Sequence, residues 1–202
     1  GSTHWHPTAA EVARLQRADL VVLNGAGVES GLGLVSLADS KLVRTAQGFR
    51  DAWIPRPVAA HRHGDGPAHS HGAYEGYTWL DPQLLLRQAE AVRGALVARR
   101  PAAAGAVDAR LEALAARLRA LDGRYAALAP TLRAQPLLAP DRIYGYLAQR
   151  YGLAVRPVPC ATDRPPTPAE EVAMGEAAKA LGAWLVLWPV PPTPAVQAAW
   201  RG

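Results

Sequence analysis

The strongest constraint on the fold is one long amphipathic helix. Residues 106–128, AVDARLEALAARLRALDGRYAAL, set Leu111, Leu114, Leu118, Leu121 and Tyr125 on a single stripe. At ~1.5 Å of rise per residue this segment spans roughly 35 Å, long enough to tie two lobes together. Upstream, Pro101 and Gly105 interrupt the helical pattern and separate it from the preceding element.

Helix and strand signals alternate on both sides of that helix. Residues 7–19 read as a short helix in which Thr8 caps and Glu11 completes a capping box, with Val12, Leu15 and Gln16 following at helical spacing. LVVLNG (20–25) is a compact apolar strand ended by an Asn-Gly turn. The glycine-rich AGVESGLGL follows, and KLVRTA (41–46) reads as a second strand. Residues 80–100 form a helix capped by Asp81, with Pro82 at its first position and Leu85, Gln88, Ala89 and Val92 on one face.

Beyond the long helix the theme repeats. A strand at 136–140 precedes a helix at 141–152 closed by Gly152. LAVRPV is a strand, 167–182 a helix, 183–190 a strand, and TPAVQAAW begins a last helix. The predicted fold class is α/β: two (βα) lobes with parallel sheets, joined by a long rigid helix. The boundaries are an N-terminal lobe at 1–104 that carries a histidine-rich loop at 60–76, the linking helix at 105–134, and a C-terminal lobe at 135–202.

Periodicity vanishes between Trp53 and Tyr77, where Pro55, Pro57, Gly64, Gly66 and Pro67 break any helix. A structureless stretch this long is uncommon unless it is functional or mobile. It holds HRHGDGPAHSHG (61–72), with four of the six histidines of the chain; the other two, His4 and His6, lie in THWHP. Neutral imidazole is a good ligand for zinc and related divalent metals. His61 with His63, and His69 with His71, are His-x-His pairs; in extended backbone, residues two apart share a side, so each pair can bite one ion. Asp65 and Glu75 add nearby oxygens. The competing reading is a polar loop that binds metal weakly, as a purification tag does. For His4 and His6 a plain surface or turn role competes with ligation.

Composition narrows the remaining classes. Half of the chain is hydrophobic and 19% is charged, enough for a sizeable core. The net charge of +5 hints at an acidic partner, but the arginines are spread along helices, which favours solvated faces over nucleic-acid binding. Cys160 is the only cysteine, so neither an intrachain disulfide nor a Cys-x-x-Cys zinc site exists, and a buried thiol is expected. No apolar run reaches the ~18 residues of a membrane helix, and no signal peptide is visible. Neither His-Glu-x-x-His, Gly-x-Ser-x-Gly nor a phosphate loop occurs. The glycines at 25, 27, 31 and 33 miss the dinucleotide spacing because Ser30 stands where a glycine is needed. No acid–base or nucleophile constellation is present, so an enzyme is not expected.

Three blocks carry a family resemblance. PTAAEVARLQRADLVVLNGAGVE (7–29), YTWLDPQLLLRQAEAV (77–92) and YGYLAQRYGLAV (144–155) resemble, in order and spacing, the periplasmic zinc/manganese-type solute-binding proteins of ABC importers. VSLADSKLVRTAQGFRDAWIP (35–55) is similar to the link that one branch of that family makes into its histidine loop. The resemblance implies two lobes flanking a rigid helix, with little movement on binding, and a divalent ion held in the cleft by three histidines and a carboxylate. Carried over by position, the first ligand falls at Thr3 or His4, the second at Tyr77 and the third at Asp141, while the fourth lies past residue 202. The opening strand and the closing strand and helix of the family are expected to be absent from this chain.

Tyrosine ligates zinc poorly while neutral, its reference pKa being about 10. Asp141 is either a hard oxygen ligand or the cap of its helix. The metal ligands expected here are therefore His4, His6, His61, His63, His69, His71 and Asp141, with the loop making the site or feeding it. The implied cargo is zinc or another divalent transition metal. The implied partner is the inner-membrane permease of an ABC transporter, and the protein is expected to be a monomer, periplasmic or tethered outside the cytoplasm. Two alternatives stay open: a metal buffer or sensor that has lost transport, favoured by Tyr77 and Asp141, or a binder of a different small ligand using Trp5, Trp79, Trp188 and Tyr77.

Overall fold

The computed structural model describes residues 7–29, 32–33, 35–56, 74–140, 142–160, 164, 166–183, 185–191 and 193–199. The chain divides into two compact units, Gly1–Leu121 and Asp122–Gly202. The α/β class and the parallel sheets expected from the sequence are both present.

In the first unit, α1 (Ala9–Arg17) starts on the predicted capping box: the Glu11 amide donates to Thr8 Oγ1 (3.3 Å) and the Thr8 amide to Glu11 Oε2 (2.7 Å). β1 (Val21–Leu23) pairs in parallel with β2 (Leu42–Arg44), Val21 opposite Leu42 and Leu23 opposite Arg44. Val21 and Leu23 point inward while Val22 is exposed, the period-two pattern of a strand covered on one face. α2 (Pro82–Arg99) is capped by Asp81, whose carboxylate accepts from the amides of Gln83 (2.8 Å) and Leu84 (3.4 Å). Its buried positions are Pro82, Leu84 and Gln88; the predicted face members Leu85, Ala89 and Val92 are only half-buried.

α3 runs from Ala104 to Arg133, past both ends of the amphipathic stretch 106–128. Gly105 lies in its first turn, where amides have no intrahelical partner in any case. Pro101 occupies a 3-10 turn, Pro101–Ala103, just before it. At the other end Pro130 is accommodated inside the helix. The buried side keeps Leu118 of the predicted stripe but is turned away from two of its other members. Ala115, Leu118 and Ala129 are buried, whereas Leu114 and Leu121 are 36% and 37% exposed.

In the second unit β3 (Leu137–Ala139) lies between β4 (Val155–Pro157) and β5 (Leu185–Val186), all parallel. Being central and covered on both faces, all three residues of β3 are buried, as their continuous apolar character requires. Leu138 packs with Val158, Met174, Ala177 and Ala183, the last four coming from β4's flank and from α5 (Pro168–Leu181) and its exit. α5 opens on a second capping box, Thr167 with Glu170. α4 (Gly145–Tyr151) is shorter than the predicted 141–152; its N-cap is Tyr144, which makes no side-chain capping bond, so the reading of Asp141 as the cap of this helix does not hold. Gly152 ends it at φ +66°, as expected of a left-handed cap. β5 is two residues long rather than eight: its last ladder bond is Leu187 N to Leu138 O (2.7 Å), and Pro189 follows without an amide to donate. α6 (Pro194–Ala199) closes the described chain. Among the described residues no helix is long and apolar enough to cross a membrane.

Candidate functional site

In open parallel sheets, ligands bind beyond the carboxyl ends of the strands. In the first unit that edge is organised by Asn24, the residue after β1. Its side-chain amide donates to the carbonyls of Gly25 (2.8 Å) and Gly76 (2.9 Å). Its Oδ1 accepts from the Thr78 hydroxyl (2.8 Å) and from Gln88 Nε2 (2.7 Å). Gln88 spends its second amide hydrogen on Thr45 Oγ1 (2.7 Å), and the Thr45 hydroxyl donates to Leu23 O (2.9 Å). Thr45, Thr78 and Gln88 are all buried. A buried polar group without a partner is costly, and here each donor is used.

The turn after β1 closes on its own carboxylate. Gly25, Ala26 and Gly27 all have positive φ, and Glu29 accepts from the amides of Asn24 (2.6 Å) and Gly25 (3.0 Å). A phosphate would need those same amides. The structure therefore agrees with the spacing argument against a dinucleotide site. An open depression of about 430 Å³ adjoins this turn, lined in part by Glu29, Asp39, Arg44 and Trp53.

Two contacts hold the flanks of the histidine-bearing segment together at this edge. Pro55 and Tyr74 form an antiparallel bridge, and the Glu75 amide donates to Ile54 O (2.8 Å). The rings of Trp53 and Tyr74 meet edge to face at 5.2 Å, and Trp53 Nε1 donates to Ala46 O (3.1 Å) just beyond β2. Gly76 then passes so near Val28 that a Cβ would fall 2.3 Å from its Cγ2. Tyr77, half-buried, packs against Trp79 at 5.3 Å.

His4, His6, His61, His63, His69, His71 and Asp141 all lie outside the described residues. Their flanks are described: Pro7 leads into α1, Pro55 and Tyr74 bracket the four loop histidines, and Pro140 follows β3 directly. Among the described residues no group of three or more His, Cys, Asp or Glu side chains could hold a metal ion. Cys160 is half-buried against the second unit's core, and burial, then Glu170, raises its thiol pKa, which keeps it a poor ligand and nucleophile. Sequence reasoning missed the Asn24 network. Its one signal was Gln88, an amide at an inward position of an otherwise apolar helix face.

A family model for ZnuA, the periplasmic zinc-uptake complex component A, matches residues 2–195. A search of curated protein sequences finds no match. Among solved structures, the metal-dependent lipoprotein YcdH from Bacillus subtilis aligns at a TM-score of 0.73 and 20% identity, over 96% of this chain and 68% of that one. Zn(II)-bound AdcA from Streptococcus pneumoniae aligns at 0.76 and 20% identity, over 96% of this chain and 40% of AdcA. A ZnuA crystal structure aligns at 0.65 and 19% identity, over 98% of this chain and 81% of that one. At such identities the likeness is one of fold.

Proposed function

The chain belongs to the family of the periplasmic zinc-uptake complex component A, and on that premise we propose that it captures a divalent metal ion, zinc, outside the cytoplasm and delivers it to an ABC-importer permease. The work is binding and release, with no covalent step. His61, His63, His69 and His71 supply imidazole nitrogens, His4 and His6 supply two more next to α1, and Asp141 supplies an oxygen. In this reading residues 105–134 are the stiff link between an N-terminal lobe, 1–104, and a C-terminal lobe, 135–202. Zinc is also the ion bound in the structurally similar AdcA.

One observation within the chain supports the reading most: the Pro55–Tyr74 bridge brings together the two flanks between which the four loop histidines lie in sequence. The donors are of the right kind, since imidazole and carboxylate both ligate zinc at ~2.0–2.2 Å. A ligating imidazole must be neutral, so uptake weakens as the pH falls and the rings protonate.

Zinc titration calorimetry on untagged protein tests the assignment. The wild type is expected to take up one ion tightly per chain. Replacing the four loop histidines with alanine should weaken that uptake at least about tenfold, the scale on which metal-site changes act. Unchanged stoichiometry and affinity in the quadruple variant would remove the loop from the site. The same titration of Asp141→Ala decides whether Asp141 is a ligand.

A further inference from the structure

We infer that the open face of the α2–α3 hairpin, within the first unit, is a docking groove for an amphipathic helix of another protein, one whose apolar seam is flanked by carboxylates. The inference is independent of the proposed zinc capture.

α3 carries a sequence repeat seven residues long. AVDARLE (106–112), ALAARLR (113–119) and ALDGRYA (120–126) place Val107, Leu114 and Leu121 in one column and Leu111, Leu118 and Tyr125 in a second. Arg110, Arg117 and Arg124 make a third. Two apolar columns spaced alternately three and four residues apart are the seam of a helix that pairs with another, and a charged column beside the seam selects the partner. The first unit uses only part of this seam. Leu118 is buried, as is Ala115 beside it, whereas Leu114 and Leu121 stay 36% and 37% exposed, and Leu96 on α2 40%.

Between the two helices lies an open groove of about 480 Å³. Val92 and Leu96 form one wall, and Val107, Leu111 and Leu114 the other. Among the described residues that line it, the charged ones are Arg93 and Arg110, and none is a carboxylate. Arg93 is held by Asp108 (2.7 Å), a bond that ties α2 to α3. Arg110 and Arg117 are exposed and have no ion-pair partner among the described residues. An apolar floor with cations on its rim is complementary to a helix that bears one apolar stripe with Asp or Glu beside it. A second copy of this chain does not fit, because a twofold axis would bring the same lining to itself and set arginine against arginine. A flat lipid surface would reach the arginines and leave the concave floor unfilled.

A pair of synthetic peptides tests this. Each spans about three heptads with leucine in both apolar columns; one carries Glu and the other Lys at the flanking positions, and self-repulsion keeps each unpaired in solution. Fluorescence anisotropy with the full chain should show the Glu peptide binding at least about tenfold more tightly than the Lys peptide, a preference that shrinks as salt is raised. Arg110→Glu with Arg117→Glu should invert the preference. Leu96→Ala with Leu114→Ala should weaken the Glu peptide at least about fivefold. All four positions are exposed, so each double variant should melt near the wild type by circular dichroism. Should the charge reversal unfold the chain, Arg110→Gln with Arg117→Gln carries the test and should level the two peptides. The inference is overturned if the wild type binds neither peptide or both alike, or if the arginine or the leucine substitutions leave binding unchanged. Sedimentation showing a dimer that Leu96→Ala with Leu114→Ala dissolves would assign the face to a second copy. Phosphatidylglycerol vesicles that bind the wild type and displace the Glu peptide would assign it to a lipid surface. Either result also overturns the inference.

Discussion

Gly76 illustrates how a single residue holds the candidate site in place. A methyl group there would sit 2.3 Å from Val28 Cγ2, and the Val28 amide donates to Gly25 O (3.2 Å) in the turn after β1. Gly76→Ala should therefore destabilise the fold by about 1–3 kcal/mol, the usual range for an overpacked contact. Adding Val28→Ala should return much of that loss, which paired urea denaturation of the single and double variants will measure. Full loss in the double variant would mean that the strain lies elsewhere. Tyr151 makes the second prediction at this scale. Burial first, and then its hydrogen bond to Asp122 (2.7 Å), raise its phenol pKa well above the usual 10.0. The folded chain thus holds this proton more tightly than the unfolded chain. Its contribution is complete below pH ~10 and is lost as the pH rises through the folded value. Tyr144 and Cys160 are raised in the same direction. Stability should fall on the alkaline side, and Tyr151→Phe should flatten that fall while giving up the Asp122 bond at neutral pH. An alkaline limb as steep in Tyr151→Phe as in the wild type would exclude Tyr151 as its source. Neither residue was legible beforehand. Gly76 reads as one more loop glycine and Tyr151 as one more aromatic, because what decides each is a neighbour distant in sequence.

Elements whose signals are local were read correctly. The Thr8–Glu11 box forms where the sequence puts it, Asp81 and Pro82 start α2, and Gly152 and Gly182 end their helices with positive φ. These features need only residues within one turn of each other. The errors concern features that depend on partners. β5 is cut to two residues because its ladder partner β3 is short and Pro189 follows. The buried side of α3 is turned away from Leu114 and Leu121 because burial is set by whatever packs against it. The site divides along the same line: the histidines announce metal chemistry by residue type, whereas the Asn24 clamp assembles from positions 24, 45, 76, 78 and 88 and has no local pattern. Pro130 is informative in another way, since it lies inside a helix that runs on to Arg133. Its nitrogen cannot donate to Ala126, so α3 runs through one missing bond in its last turns. Pro130→Ala restores that donor and should raise stability by about 1–3 kcal/mol, toward the low end so near a helix terminus. A lower urea midpoint in Pro130→Ala would show that the ring's packing outweighs the bond.

For the whole molecule, uptake of cargo and stability are linked. An ion that binds only the folded chain stabilises it by RT ln(1 + [L]/Kd), about 2.7 kcal/mol at a hundredfold excess over Kd. The imidazole donors belong to the unit Gly1–Leu121, and Asp141 belongs to Asp122–Gly202. Zinc held by the histidine segment should slow hydrogen exchange in the first unit, because opening that unit releases ligands. Val21–Leu23, at the base of its carboxyl edge, are the amides to follow. Zinc is expected to protect them, and the quadruple histidine variant should lose that protection. The net charge of +5 makes the contrast sharper: a cationic chain gains nothing from long-range attraction of a cation, so protection must come from direct ligation and should change little between low and physiological salt. Exchange at Val21–Leu23 that is equally fast with and without zinc in the wild type would remove the histidine segment from the metal site.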